Sequence, residues 1–149
     1  DAAWAKVRAN GGCAGGDGIG VTMFQPRAAK ELILLSSAIR GGRYRPGPCR
    51  LLRIEKKDGG TRPLAIPSII DRVAQTACAA TLGPVLEPTF SDNSFGYRPG
   101  RGVDDAVRAV TDWRKRGYEW VVEADIVRCF ERIPHAPLLS RLSNVLGDT

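Results

Sequence analysis

The sequence holds one histidine, one methionine and no CxxC pair. Its four cysteines, Cys13, Cys49, Cys78 and Cys129, lie 36, 29 and 51 residues apart, and His135 is the sole imidazole. Neither a zinc finger nor a dithiol redox centre has the ligands it needs. Cysteines so scattered in a chain of this size point to reduced thiols in a cytoplasmic protein. No apolar run approaches the roughly 20 residues that cross a bilayer, and no secretory hydrophobic region opens the chain, which argues against a membrane protein. Internal repeats and low-complexity tracts are missing as well. What is present is 149 residues with 43% apolar content, one domain's worth of chain with enough apolar surface for a core. The chain starts at Asp1 rather than Met and stops just beyond a helical pattern, as expected of a piece of a longer protein.

Charge is unevenly distributed. Of 22 basic and 16 acidic residues (+6), residues 1–75 carry 13 and 6 (+7), while residues 76–149 carry 9 and 10 (−1). Within 40–62 stand Arg40, Arg43, Arg45, Arg50, Arg53, Lys56, Lys57 and Arg62 against only Glu55 and Asp58. A stripe of this kind neutralises phosphates and suggests a polyanionic partner; a merely solvated basic face is the bland alternative.

Hydrophobic spacing predicts the local structure. After a short N-terminal helix, the glycine-rich run 11–18 reads as a loop whose backbone can approach a ligand closely. Pro26 opens a helix with Ala28, Leu32, Leu35 and Ile39 on one stripe, ended by Gly41-Gly42. Residues 49–55 and 61–66, flanking a turn with Asp58-Gly59, form a β-hairpin. Ser68 and Asp71 make a capping-box-like start to a helix carrying Ile70, Val73, Ala74 and Ala77, which Gly83-Pro84 should stop. The turn-rich segment 91–101 holds Phe95, Tyr97, Arg98 and Arg101, suited either to stacking and phosphate contact or to a loop pinned by its own aromatics. A helix with Val103, Ala106, Val107, Val110 and Trp113 on one face ends at Gly117. Tyr118 to Ile126 alternates as a strand, and Pro137 opens a last helix. On periodicity alone Asp125 is either a metal ligand or the first acid of a turn, and His135 is structural.

Four ordered segments carry a resemblance that covers nearly the whole chain: ANGGCAGGDGIGVT at 9–22, YRPGPCRLLRIEKKDGGTRPLAIP at 44–67, IIDRVAQ followed by SFGYRPGR within 69–101, and VVEADIVRCFERIPH at 121–135. In order and spacing they resemble the front half of a bacterial reverse transcriptase of the group II intron lineage, which includes intron maturases and CRISPR-associated enzymes. The first is similar to that lineage's N-terminal extension motif, the next two to its fingers motifs, and the fourth to motif A of the palm. The resemblance implies an α+β fold, the fingers and first part of the palm of a right-hand polymerase, with helices packed around a β-hairpin and a partial antiparallel palm sheet. Residues 1–117 would be fingers and 118–149 the start of the palm.

It also implies roles. Asp125 would be the catalytic metal-binding aspartate and the carbonyl of Ile126 a second oxygen ligand for Mg²⁺, hard donors of the kind two-metal nucleotidyl transfer requires. Lys56 and Arg62 match the residues that hold the incoming dNTP. Arg128 and Cys129 match positions whose backbone lines the nucleotide pocket, and Phe130 matches the aromatic gate against a 2′-hydroxyl. Arg98 and Arg101 fit template or structural roles, and with Arg43, Arg45 and Arg53 of the basic stripe they make the expected nucleic-acid contacts. The implied partners are an RNA template, a DNA primer and dNTPs, with structured intron RNA as a further possibility. Glu131 stands where the family often has Asp, Lys57 where a Pro is common, and Gly16 where the N-terminal loop usually has an apolar residue. The paired-aspartate palm motif is absent from the sequence, so this chain alone is expected to be inactive. A non-catalytic, maturase-like RNA-binding module is the rival reading.

Overall fold

The apolar stripe behind Pro26 does form a helix, and it seats the core. The computed structural model describes residues 1–55 and 59–147. It divides into two compact units, Asp1–Leu82 and Gly83–Thr149.

In the first unit α1 (Ala2–Asn10) and α2 (Val21–Phe24) bracket the glycine-rich loop, and a 3-10 turn (Gln25–Arg27) leads into α3 (Ala28–Arg40). Strands β1 (Arg50–Glu55) and β2 (Thr61–Ile66) pair antiparallel, with Leu52 opposite Leu64 and Ile54 opposite Arg62. Helix α4 (Ile69–Leu86) follows. Val7, Phe24, Ala28, Leu35, Ile69, Val73 and Ala74 form the core, with the rings of Trp4 and Phe24 5.0 Å apart. These residues come from α1, α2, α3 and the first turns of α4, so the elements that flank the hairpin also build the core.

One carboxylate is buried among them. Asp71, 2% exposed, accepts the Tyr44 hydroxyl at 2.6 Å on Oδ1, and the Gly47 N–H at 3.0 Å and the Ser68 hydroxyl at 2.8 Å on Oδ2. Its own N–H donates to Ser68 Oγ at 3.2 Å, the capping geometry expected from the sequence. Three donors on one buried carboxylate satisfy it, each such bond contributing about 1.5–3 kcal/mol.

This contact makes stability depend on high pH. Burial first, then the hydrogen bond to Asp71 and the charge of its carboxylate, push the Tyr44 phenol up to about 12 from its ordinary 10.0. The folded chain therefore favours neutral Tyr44. Its contribution should be complete below pH 10 and shrink as pH rises from 10 to about 12. Urea unfolding at pH 9 and pH 11.5 should show a falling midpoint in the wild type and a smaller fall in Tyr44→Phe. Equal falls in both would place the sensitivity elsewhere.

The glycine-rich loop makes a close approach to the chain itself. A Cβ on Gly15 would stand 2.5 Å from the Pro67 carbonyl and the Ser68 nitrogen, and one on Gly16 would lie closer still to the Pro48 carbonyl oxygen. Only glycine permits this contact. It gives a physical reason for glycine at positions 15 and 16.

The second unit departs from expectation in three places. Helix α4 does not stop at Gly83-Pro84 but continues to Leu86, followed by a 3-10 turn at Glu87–Thr89. Pro84 removes one N–H donor without ending the helical path. The last helix, α7, spans His135–Leu146 and starts two residues before Pro137, which is tolerated because the first turn's N–H groups lack helical acceptors anyway. Helix α5 (Val103–Lys115) forms as read, with Gly102 N–H donating to the Asp105 carboxylate at 2.9 Å.

The third departure is the palm sheet. Residues 118–126 adopt no strand, and the two-stranded hairpin is the only sheet among the described residues. Alternation identifies faces, but a strand also needs a ladder partner, and no described segment supplies one here. Trp120, Val121 and Val122 accordingly stand exposed on both faces. Among the described residues no helix is long and apolar enough to cross a membrane, and the four cysteines are free and exposed.

Candidate nucleic-acid and nucleotide interface

In the first unit the hairpin register separates the basic residues by face. Side chains alternate along a strand and cross-strand pairs share a face. Arg50, Leu52 and Ile54 therefore lie with Arg62, Leu64 and Ile66 on one side, and Leu51, Arg53 and Glu55 with Thr61, Pro63 and Ala65 on the other. Arg62 and Arg53 thus point in opposite directions, which the sequence pattern did not reveal. Both are exposed, and among the described residues neither is paired with a carboxylate. Lys56, the other expected triphosphate contact, lies outside the described residues, as do Lys57 and Asp58.

At the hairpin's approach, Arg45 folds back on its own loop, donating from Nη1 to the carbonyls of Gly42 (3.1 Å) and Tyr44 (2.8 Å). Arg43 is exposed and its guanidinium lies beside Gly41. Both residues are exposed, and a planar fork keeps donors beyond those it has used.

In the second unit Arg98 is the most confined of the expected contacts, its side chain 7% exposed. It donates to Glu87 Oε1 from Nε (2.9 Å) and Nη2 (2.8 Å), and from Nη1 to the carbonyls of Ser91 (2.7 Å) and Ser94 (2.9 Å). The Phe90 ring lies beneath it, 5.5 Å from the guanidinium carbon. Arg101 donates to the Asp92 carbonyl, pairs with the Asp92 carboxylate at 3.3 Å and lies 5.9 Å over Phe95. Segment 91–101 is thus pinned by its own arginines and aromatics. Tyr97 stands apart from them, fully exposed with a φ of 58°.

The motif A residues lie on open backbone and a short helix. Asp125 is exposed, and its Oδ1 accepts the N–H of Ile126 at 2.9 Å. Arg128 adopts the left-handed conformation (φ 54°, ψ 49°) and opens α6 (Cys129–Arg132), a turn the sequence reading missed. A non-glycine residue held there stores about 1–3 kcal/mol, the kind of strain that gathers at functional sites. Cys129 and Phe130 occupy the first turn of α6, and Phe130 is 83% exposed.

A divalent ion needs several oxygen donors at once. Among the described residues no group of three or more His, Cys, Asp or Glu side chains could hold a metal ion. Asp125 and the Ile126 carbonyl are suitable donor types, yet alone they do not amount to a magnesium site.

Sequence reasoning missed Tyr44 and Arg72, and gave Asp71 only a capping role. The available signal was an aspartate set among Ile69, Val73 and Ala74, all of them core residues. A carboxylate in such a stripe must find donors or stay out of the interior.

Comparison with known proteins follows this geometry. Residues 54–148 match the family described as Reverse transcriptase (RNA-dependent DNA polymerase). The chain is 36% identical to Protein YkfC of Escherichia coli (strain K12) over 138 residues, covering 90% of this chain and 36% of that protein. It is 34% identical over 129 residues to Group II intron-encoded protein LtrA of Lactococcus lactis subsp. cremoris, covering 84% of this chain and 20% of that one. Nuclear intron maturase 1, mitochondrial, of Arabidopsis thaliana is 28% identical over 82 residues, 55% of this chain and 11% of its own length. The chain therefore spans 36% or less of these relatives.

Proposed function

Because this chain belongs to the reverse transcriptase family, in its group II intron lineage, we propose that it forms the fingers (1–117) and the start of the palm (118–149) of an RNA-directed DNA polymerase. The longer protein extends a DNA primer along an RNA template with dNTPs. The observation that carries this reading is the coexistence of Arg62 on an exposed hairpin face with the Asp125 to Phe130 segment built around a strained Arg128. Phosphate binding alone needs no strained backbone beside a carboxylate.

In this reading Arg62, with Lys56, holds the triphosphate, and Arg53 on the opposite hairpin face meets the nucleic acid together with Arg43 and Arg45. Separation onto two faces lets one element grip nucleotide and template at once. Arg101 and Arg98 shape the loop at 91–101, and Arg101, 28% exposed, keeps donors for a phosphate. Asp125 contributes one carboxylate and Ile126 one carbonyl toward Mg²⁺, the remaining ligands coming from outside the described residues. The backbone of Arg128 and Cys129 lines the nucleotide pocket and Phe130 stands against the sugar. This chain by itself does not polymerise.

The rival is a maturase-like module that binds structured RNA without chemistry. A salt series and a primer-extension assay separate the two. Binding of this chain to an RNA–DNA hybrid should weaken steeply with salt, each phosphate neutralised adding about 0.7–0.9 to the logarithmic slope. Primer extension should be absent with this chain and present with the longer protein. A slope near zero removes the phosphate argument, and a longer protein that binds RNA but never extends a primer establishes the rival.

A further inference from the structure

None of the roles above uses Asp71, Arg72, Tyr44 or the glycine-rich loop, yet these groups converge on the two roots of the hairpin. Gly47, Pro48 and Cys49 lead into β1, and Pro67 and Ser68 leave β2. Asp71 holds both roots, accepting from Gly47 N–H on one side and the Ser68 hydroxyl on the other, and it adds Tyr44 from the segment before them. The loop presses on the same two places, Gly16 against Pro48 and Cys49, Gly15 against Pro67 and Ser68. Arg72 closes the ring, donating from Nε to the Pro67 carbonyl at 3.0 Å and from Nη2 to the Cys13 carbonyl of the loop.

A two-stranded hairpin has no third strand to set its direction, and its twist is soft. Whatever fixes its angle must act at the roots. Here the roots are held by a buried carboxylate and by a backbone plate that tolerates no Cβ.

We propose that Asp71, Tyr44 and the Gly15-Gly16 backbone form a socket that sets the angle of the hairpin and, through it, the affinity for the incoming nucleotide. The inference rests on the reading of the hairpin as the nucleotide grip. Asp71 and Tyr44 are positioning residues: they touch neither nucleotide nor template, and they act through the strand that carries Arg62. Nucleotide binding should therefore depend on groups far along the chain from the tip, and the glycine-rich loop should matter for it without contacting it.

The test uses the longer polymerase and follows single-nucleotide addition across a dNTP series, with hybrid affinity and thermal unfolding measured alongside. Tyr44→Phe keeps the ring and removes one donor, Gly15→Ala pushes on the β2 root, and Arg62→Ala is the reference. Tyr44→Phe and Gly15→Ala should raise the dNTP KM about five- to tenfold, as small misplacements of binding groups do, with kcat and hybrid affinity near wild type. A purely structural role would instead lower the folded fraction and the apparent kcat with KM unmoved. If Arg62→Ala raises KM while a folded Tyr44→Phe does not, the socket is overturned and the nucleotide grip stands. If Tyr44→Phe raises KM and Arg62→Ala does not, the socket stands and the role of Arg62 falls. If neither moves KM, both readings fall. Should Gly15→Ala fail to fold, Ser68→Ala, which removes one donor to Asp71 at the same root, takes its place with the same expected result.

Discussion

Asp125→Asn in the longer protein is expected to stop DNA synthesis while that protein still folds and binds RNA. Asparagine keeps the shape, and its Oδ1 can still accept the Ile126 N–H that Asp125 accepts at 2.9 Å. What it removes is the charge that, in the proposed reading, helps hold a hard cation. Asp125 is exposed in this chain, so the substitution should change stability by no more than about 0.5 kcal/mol. The loss in single-turnover rate should be on the order of a thousandfold or more, about 4 kcal/mol of barrier. Rates measured across a Mg²⁺ series, with hybrid affinity in parallel, decide the matter. A variant that polymerises at the wild-type rate removes Asp125 from the reaction and turns it into a turn acid.

How far these roles could be read from the chain depends on how local each signal is. The hairpin and helices α1, α3 and α5 were legible because caps, turn residues and apolar spacing are contained within a few residues. The antiparallel pairing of 50–55 with 61–66 needs only a short connection. Residues 118–126 show the opposite case: their alternation is clear, but a ladder depends on a partner that local pattern does not name. Asp71 was visible as a cap through Ser68, three residues away, whereas Tyr44 and Gly47 are 27 and 24 residues distant and left no mark on the local pattern. The glycine-rich loop was legible as a place of close approach. Its partner was not, because a missing Cβ shows that something comes near without saying what.

The arginines divide along the same line. Composition marks Arg53, Arg62, Arg98 and Arg101 alike as phosphate ligands, yet their surroundings differ. Arg98 spends donors on Glu87 and two carbonyls, while among the described residues Arg53 and Arg62 pair with no carboxylate. A guanidinium already tied to a carboxylate and to loop carbonyls contributes order, and losing it costs structure before affinity. The exposed arginines of 40–62 therefore carry the salt dependence expected of this chain.

Phe130 supplies the second large effect, and its position makes the measurement clean. At 83% exposure the ring is not a core residue of this chain, so the several kcal/mol that truncating a packed aromatic costs do not apply. It sits in the first turn of α6, two residues after the strained Arg128 and five after Asp125. In the proposed reading the ring discriminates by volume, since a 2′-hydroxyl would need the space it occupies. Phe130→Val in the longer polymerase should therefore raise ribonucleotide use relative to deoxynucleotide by roughly 10- to 100-fold, the range that a steric change of a few carbon atoms commands. Deoxynucleotide incorporation should fall less, because valine would clear the hydroxyl site and leaves the Asp125 carboxylate in place. Competition between rNTP and dNTP on one primer-template, scored by alkali-sensitive cleavage of the product, measures the ratio directly. A folded Phe130→Val enzyme with the parent's sugar preference would show that the selection lies elsewhere in the nucleotide pocket and that Phe130 is not the gate.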